Sequence, residues 1–149
     1  MIDTSILCEL LEVPGKCGDS AHIQGEFRDR ADAGERFIIP ITAVIETGNH
    51  IEQASGNRRA AAERLTRLLE LAQSGTAPFV LNTTVWDESF LAQLCDGDST
   101  GQSLVDLLAN QQLGAGDIAI LVERDRLHER SALGRVGVWT LDSELRAYS

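Results

Sequence analysis

Short apolar runs, several of them bounded by proline or an acid, alternate along this chain with longer stretches of helical periodicity, and this alternation constrains the fold more than any other feature. Met1 to Asp3 reads as a brief opening strand. Arg36-Phe37-Ile38-Ile39-Pro40 reads as a buried strand ended by proline, which cannot donate to a sheet ladder. Pro78-Phe79-Val80-Leu81 and Val136 to Leu141 are the remaining strands expected. Between them, helices are expected from Thr4 to Glu12, stopped at Pro14-Gly15, and from a cap at Asp19 to Ala33. A third covers Ile41 to Ala54 and breaks at Ser55-Gly56-Asn57; a fourth covers Arg58 to Gln73, with Leu65, Leu68, Leu69 and Ala72 at helical spacing. Further helices are expected over Val85 to Leu94, Ser103 to Gln112 and Asp117 to Arg130, with a short one after Asp142. Such alternation favours an α/β domain with a mainly parallel sheet. No internal repeat, low-complexity tract or interdomain linker interrupts it, so residues 1–149 are expected to form one domain.

Composition narrows the function. A formal net charge of −10 repels polyanions, which excludes a general nucleic-acid coat. No apolar run approaches the roughly 18 residues needed to span a bilayer, and the N-terminus lacks the basic start and apolar core of a signal peptide. A cytoplasmic protein with no membrane partner is therefore expected. Cys8, Cys17 and Cys95 are odd in number and form no C-x-x-C pair, so they read as reduced packing residues rather than a disulfide or zinc framework.

The acids carry the functional signal. Open α/β sheets bind ligands beyond the C-terminal ends of their strands. Asp3 closes the first expected strand, Asp142 follows the last, and Asp117 opens a helix returning from the same edge. Glu46 lies in the second turn of the helix after the second strand. Each has a structural reading beside the functional one. Asp3, Asp117 and Asp142 all stand at helix starts, where aspartate caps exposed N–H groups. Glu46 falls on a polar stripe with Thr42, Asn49 and Gln53, opposite an apolar face of Ile41, Val44, Ile45 and Gly48, and that stripe reads equally well as solvated.

Four segments resemble the motifs of the PIN-domain family, the VapC-like ribonucleases. Ile2-Asp3-Thr4-Ser5-Ile6-Leu7 resembles its opening, a strand ending in Asp followed by small hydroxyl residues. Pro40 to Glu46 is similar to its second motif, Leu113 to Leu121 to its third, and Val138 to Leu145, with Thr140 two places before Asp142, to its fourth. The resemblance implies a three-layer α/β/α sandwich with a mainly parallel central sheet. It also implies a metal-dependent endoribonuclease with Asp3, Asp117 and Asp142 as ligands for Mg²⁺ or Mn²⁺. Glu46 would bind metal or orient water, and the Thr140 hydroxyl would position the site. The partners implied are an RNA substrate, an antitoxin protein and a second copy of the chain in a homodimer.

The chemistry is consistent with that set. Clustered carboxylates repel one another by about 4 kcal/mol per close pair at an effective dielectric of about 20. A hard divalent cation removes the repulsion, lowers the pKa of a bound water and stabilises charge on a phosphate. It also reverses the local sign in an acidic protein. Arg58, Arg59, Arg64 and Arg67 read as an RNA-facing helix or, through the i,i+4 pairs Arg59–Glu63 and Glu63–Arg67, as a solvated salt-bridged face. Aromatics are 5% of residues, too few for a stacking platform, so Trp86 and Trp139 read as core or interface. Phosphoacceptor receivers and haloacid-dehalogenase-type phosphatases need a late lysine, and none follows Lys16. Gly15-Lys16-Cys17 lacks the residues of a P-loop, and His22, His50 and His128 are isolated. The alternative from another class is a binding or regulatory module whose acids serve only as caps.

Overall fold

A computed structural model describes residues 1–80, 84–130 and 136–148. Among these residues 62% are helical and 4% are in strands or bridges. That overturns the expected three-layer sandwich with a central sheet: the chain is mainly helical, with a two-stranded parallel sheet. The physical reason lies in the same short runs. Among the described residues, only Phe37–Ile38 (β1) and Phe79–Val80 (β2) form a ladder, in the register Phe37 to Phe79 and Ile38 to Val80. Pro40 and Pro78, which have no N–H to donate, stand close to both. The opening run contributes a single bridge through Ile2, whose N–H donates to the Ile38 carbonyl at 2.8 Å. The last run contributes a single bridge at Trp139. Leu81, expected at the end of the third strand, lies outside the described residues.

The chain folds into two compact units, Ile2–Asn82 and Met1 with Thr83–Ser149. In the first, α1 (Thr4–Leu10), α2 (Ser20–Asp32), α3 (Ile41–Gln53) and α4 (Arg58–Gln73) surround the ladder. α1 packs on α2 and α3, and α3 on α4. Phe27 of α2 stacks over both strands, 4.7 Å from the Phe37 ring and 5.7 Å from that of Phe79. Ile2, Ile6, Leu7, Val13 and Ala61 are fully buried in this unit. α4 buries Ala61, Leu68 and Ala72 and leaves Leu69 at its surface, so three of its apolar positions define the inner face. The start of α2 is capped from another helix. Asp19 makes no side-chain cap, and Glu9 of α1 accepts instead from Gly18 N–H at 2.9 Å, Asp19 N–H at 3.1 Å and the Ser20 hydroxyl at 2.8 Å.

The second unit is organised around α7 (Ala115–Arg130). Residues Ile118 to Arg124 of this helix are all buried, as expected of a helix surrounded on most sides. One cluster joins Ile118 and Leu121 to Leu107, Leu113 and Leu145, drawing in α6 (Leu104–Ala109) and α8 (Ser143–Arg146). Another joins Ala119 and Val122 to Phe90 of α5 (Glu88–Asp96). Buried Arg126 fastens α7 to α5 through Gln93 at 2.5 Å, Ser89 at 2.7 Å and Asp87 at 3.2 Å. Met1 completes the unit, its ammonium donating to Gly137 O at 2.5 Å and its carbonyl accepting from Trp139 N–H at 2.8 Å. Gly97 ends α5 at φ 72°, and a Cβ there would lie 1.8 Å from the Gln102 carbonyl oxygen, so no other residue fits this turn.

A 3-10 turn, Asp98–Thr100, follows and packs on α7. Burial pushes the Asp98 carboxyl up to about 6, reinforced by a hydrogen bond and charge from Asp125. Burial also works to raise Asp125, but its hydrogen bond from Arg124, at 2.6 Å, leads a set of bonds that holds it below the usual range. A carboxyl raised in the folded state stabilises fully below its unfolded value, near 4, and loses that contribution as pH rises to about 6. Asp98→Asn is therefore expected to flatten this part of the stability profile. Denaturant melts from pH 4 to pH 6 check it: the parent should lose stability relative to the variant across the window, and parallel profiles would contradict the assignment.

Among the described residues no helix is long and apolar enough to cross a membrane.

Candidate functional site

The first unit holds two of the expected acids, Asp3 and Glu46. Asp3, 3% exposed, is the N-cap of α1. Its Oδ2 accepts from the Ser5 hydroxyl at 2.7 Å and from Ser5 N–H at 3.3 Å. The next residue, Thr4, is buried and donates its hydroxyl to Glu46 Oε2 at 2.7 Å, across 42 residues of chain. Glu46 is half-buried on the second turn of α3. The expected facing of α3 is found only in part: Asn49 and Gln53 are exposed, but so are Ile41 and Ile45, at 53% and 56%, while Thr42, Ala43, Thr47 and Ile51 are buried. Periodicity misread this helix because it counted threonine as polar, whereas Thr42 and Thr47 lie on its packed face. Glu46, next to Thr47, thereby borders the interior instead of a solvated stripe.

The second unit holds the other expected residues. Asp117 lies in the first turn of α7, which begins two residues earlier than expected, and its Oδ2 accepts from Gly114 N–H at 2.9 Å. This is the reciprocal half of a capping box, in which an acid at the third helical position reaches back to the cap. Asp142 is an exposed N-cap of α8, its Oδ1 accepting from Glu144 N–H at 2.7 Å and Leu145 N–H at 3.3 Å. Thr140 is buried, and its hydroxyl accepts from Asp142 N–H at 2.9 Å. The structure thus bonds Glu46 to Thr4, the residue after Asp3, and Thr140 to Asp142, each within its own unit. The capping readings of Asp3, Asp117 and Asp142 are all realised.

Does this donor set suit the expected ion? Asp3 and Glu46 offer only hard carboxylate oxygens, and both stand beside hydroxyls. Mg²⁺ is commonly held by one or two carboxylates and otherwise by water and substrate phosphate. Carboxylate oxygens are the ligand type that Mg²⁺ or Mn²⁺ prefers. Within neither unit, among the described residues, do three or more His, Cys, Asp or Glu side chains gather around one point suited to a metal. Burial pushes the Cys8 thiol up to about 11, as for a free cysteine packed in a core. Cys8 is the packing residue expected, whereas Cys17 is half-buried and Cys95 exposed.

Sequence reasoning missed several interacting residues. Thr4 and Ser5 were visible only as small hydroxyl residues after Asp3, yet both bond a candidate acid. The basic stretch of α4 is spent largely on structure: Arg59 pairs with Glu63 at 3.2 Å in solvent, and Arg64 binds Leu11 O and Glu12. Trp86, read as core or interface, is half exposed and stacks on Phe90 at 5.1 Å. No family model matches the chain, and no curated protein or solved structure matches it.

Proposed function

We propose that this chain is a metal-dependent endoribonuclease that hydrolyses RNA phosphodiester bonds with Mg²⁺ or Mn²⁺. The observation that supports this most is the bond from Thr4 to Glu46, which ties the segment of Asp3 to the acid of the second motif across 42 residues. Helix packing alone requires no such link. Asp3 and Glu46 would bind the ion in the first unit; the PIN-like motifs name Asp117 and Asp142 as further metal ligands, with Thr140 supporting Asp142 in the second. When bound, the ion supplies positive charge against the phosphate and activates water for attack. The chain's own contribution is to fix its carboxylates before substrate arrives: Asp3 by the start of α1 and Ser5, Glu46 by Thr4. In a protein of net charge −10, local reversal of sign at the ion is what allows an RNA backbone to approach. An antitoxin that inserts arginine among these acids, and self-association, belong to the same proposal.

The capping bonds of Asp3, Asp117 and Asp142 favour a second reading, a binding module in which the acids are structural. RNA cleavage by the purified chain discriminates the two. Single-stranded RNA should be cut with Mn²⁺ and left intact with EDTA; intact RNA under both conditions favours the module. Mn²⁺ should also raise the melting temperature of the parent, and that rise should vanish in Asp117→Asn.

A further inference from the structure

We propose that the outer face of the α5–α6 pair is a docking surface for a basic amphipathic helix of a partner protein. This inference stands apart from the ribonuclease reading and uses none of its residues.

The two helices pack on each other and turn their inner sides to α7. On α5, Gln93 reaches Arg126 on one side of Phe90, while Leu94 on the other side joins the cluster that holds Leu104 and Leu107 of α6. Leu91, one turn before Leu94, therefore lies on the edge of α5 towards α6, and it is 47% exposed. α6 adds Val105 at 73% and Leu108 at 46%. Half-exposed Trp86, stacked on Phe90, extends the surface beyond the start of α5. Single apolar side chains are ordinary on a surface, but a tryptophan and three aliphatic residues on and beside one short helix pair have the make-up of an interaction face.

Charge decides what covers it. No lysine, arginine or histidine stands between Arg67 and Arg124 in the sequence, and α5 and α6 carry the exposed acids Glu88, Asp96 and Asp106. Arg124 and Arg126, which follow, are buried and bonded within the unit. A two-fold contact with a second copy would set these acids against their own counterparts. Nucleic acid and anionic lipid are repelled in the same way. A helix with apolar residues along one side and lysine or arginine flanking them matches both parts of the surface: its apolar side meets Leu91, Val105 and Leu108, and its cations meet the acids.

Fluorescence anisotropy of a labelled leucine–lysine peptide, patterned as an amphipathic helix and titrated with the full chain, tests this. The parent should bind it, and Leu91→Ser and Val105→Ser should each weaken binding by about tenfold, the scale of removing one apolar anchor. Both positions are exposed, so the variants keep the parent's fold. Ile41→Ser, an exposed apolar position of the other unit, should leave binding unchanged. Cys95, exposed one turn after Leu91, supplies a footprint: the peptide should slow its alkylation while that of Cys17, in the other unit, keeps its rate. No binding by the parent, an equal loss in Ile41→Ser, or a Cys95 rate that the peptide does not slow overturns the proposal. Equally tight binding of a leucine–glutamate peptide of the same pattern removes the charge argument and overturns it as well. A parent that dimerises, with the dimer lost in Val105→Ser, assigns the face to a second copy instead.

Discussion

Asp3→Asn should abolish Mn²⁺-dependent RNA cleavage while leaving the fold intact. Asparagine is nearly isosteric and caps helices as well as aspartate does, so its side-chain oxygen can still accept from Ser5 N–H and Oγ. It carries no negative charge to offset the cost of stripping water from Mg²⁺, so affinity for the ion should fall sharply. Loss of several kcal/mol of transition-state stabilisation corresponds to about a thousandfold or more in rate. Without metal, the melting temperature should equal or exceed the parent's, because asparagine keeps the cap without placing a charge at this buried position. A purely structural Asp3 predicts the opposite pairing: activity lost only in step with folding. Full Mn²⁺-dependent cleavage by Asp3→Asn would remove the carboxylate from the mechanism.

Glu9→Ala should cost stability and nothing specific to catalysis. The carboxylate is 6% exposed and accepts from two backbone N–H groups and one hydroxyl at the start of α2. Cutting it back removes the cap from a neighbouring helix and leaves charge-assisted bonds unmade, at a cost of about 2–3 kcal/mol. Burial works to raise the carboxyl, but the bonds from Gly18, Ser20 and Asp19 together hold it below the usual range. A carboxyl depressed in the folded state contributes above its unfolded value and loses that contribution as pH falls through the folded one. The gap between parent and variant in urea melts should therefore be full at pH 7 and shrink below about pH 4. A constant gap across this range would assign the loss to packing instead of the cap.

The two variants also show what residue patterns reveal and what they conceal. Helices over Ile41–Gln53 and Arg58–Gln73 were legible because periodicity, breaks and caps agree over three or four turns. The sheet was not. Runs such as Arg36 to Pro40 are apolar and β-rich, but proline at their margins leaves room for only two ladder residues. An α/β pattern thus became a mainly helical fold. The capping bonds of Asp3, Asp117 and Asp142 were legible from their places at helix starts. The face of Glu46 was not legible, because the helix packs through Thr42, Ala43 and Thr47 while Ile41 and Ile45 of the apolar stripe stay exposed. Nor was the role of Glu9 or the Asp98–Asp125 pair, since both depend on contacts between separate elements that no local spacing encodes.

The central claim is that Asp3 and Glu46 hold a divalent ion. Crystals of the full chain soaked in Mn²⁺, with data collected at the manganese edge, test it most directly. The account predicts an anomalous peak within coordination distance of the Asp3 carboxylate and of Glu46 Oε1, with Thr4 still bonded to Oε2. Well-ordered Asp3 and Glu46 carboxylates with no anomalous density beside them at saturating Mn²⁺ would contradict it.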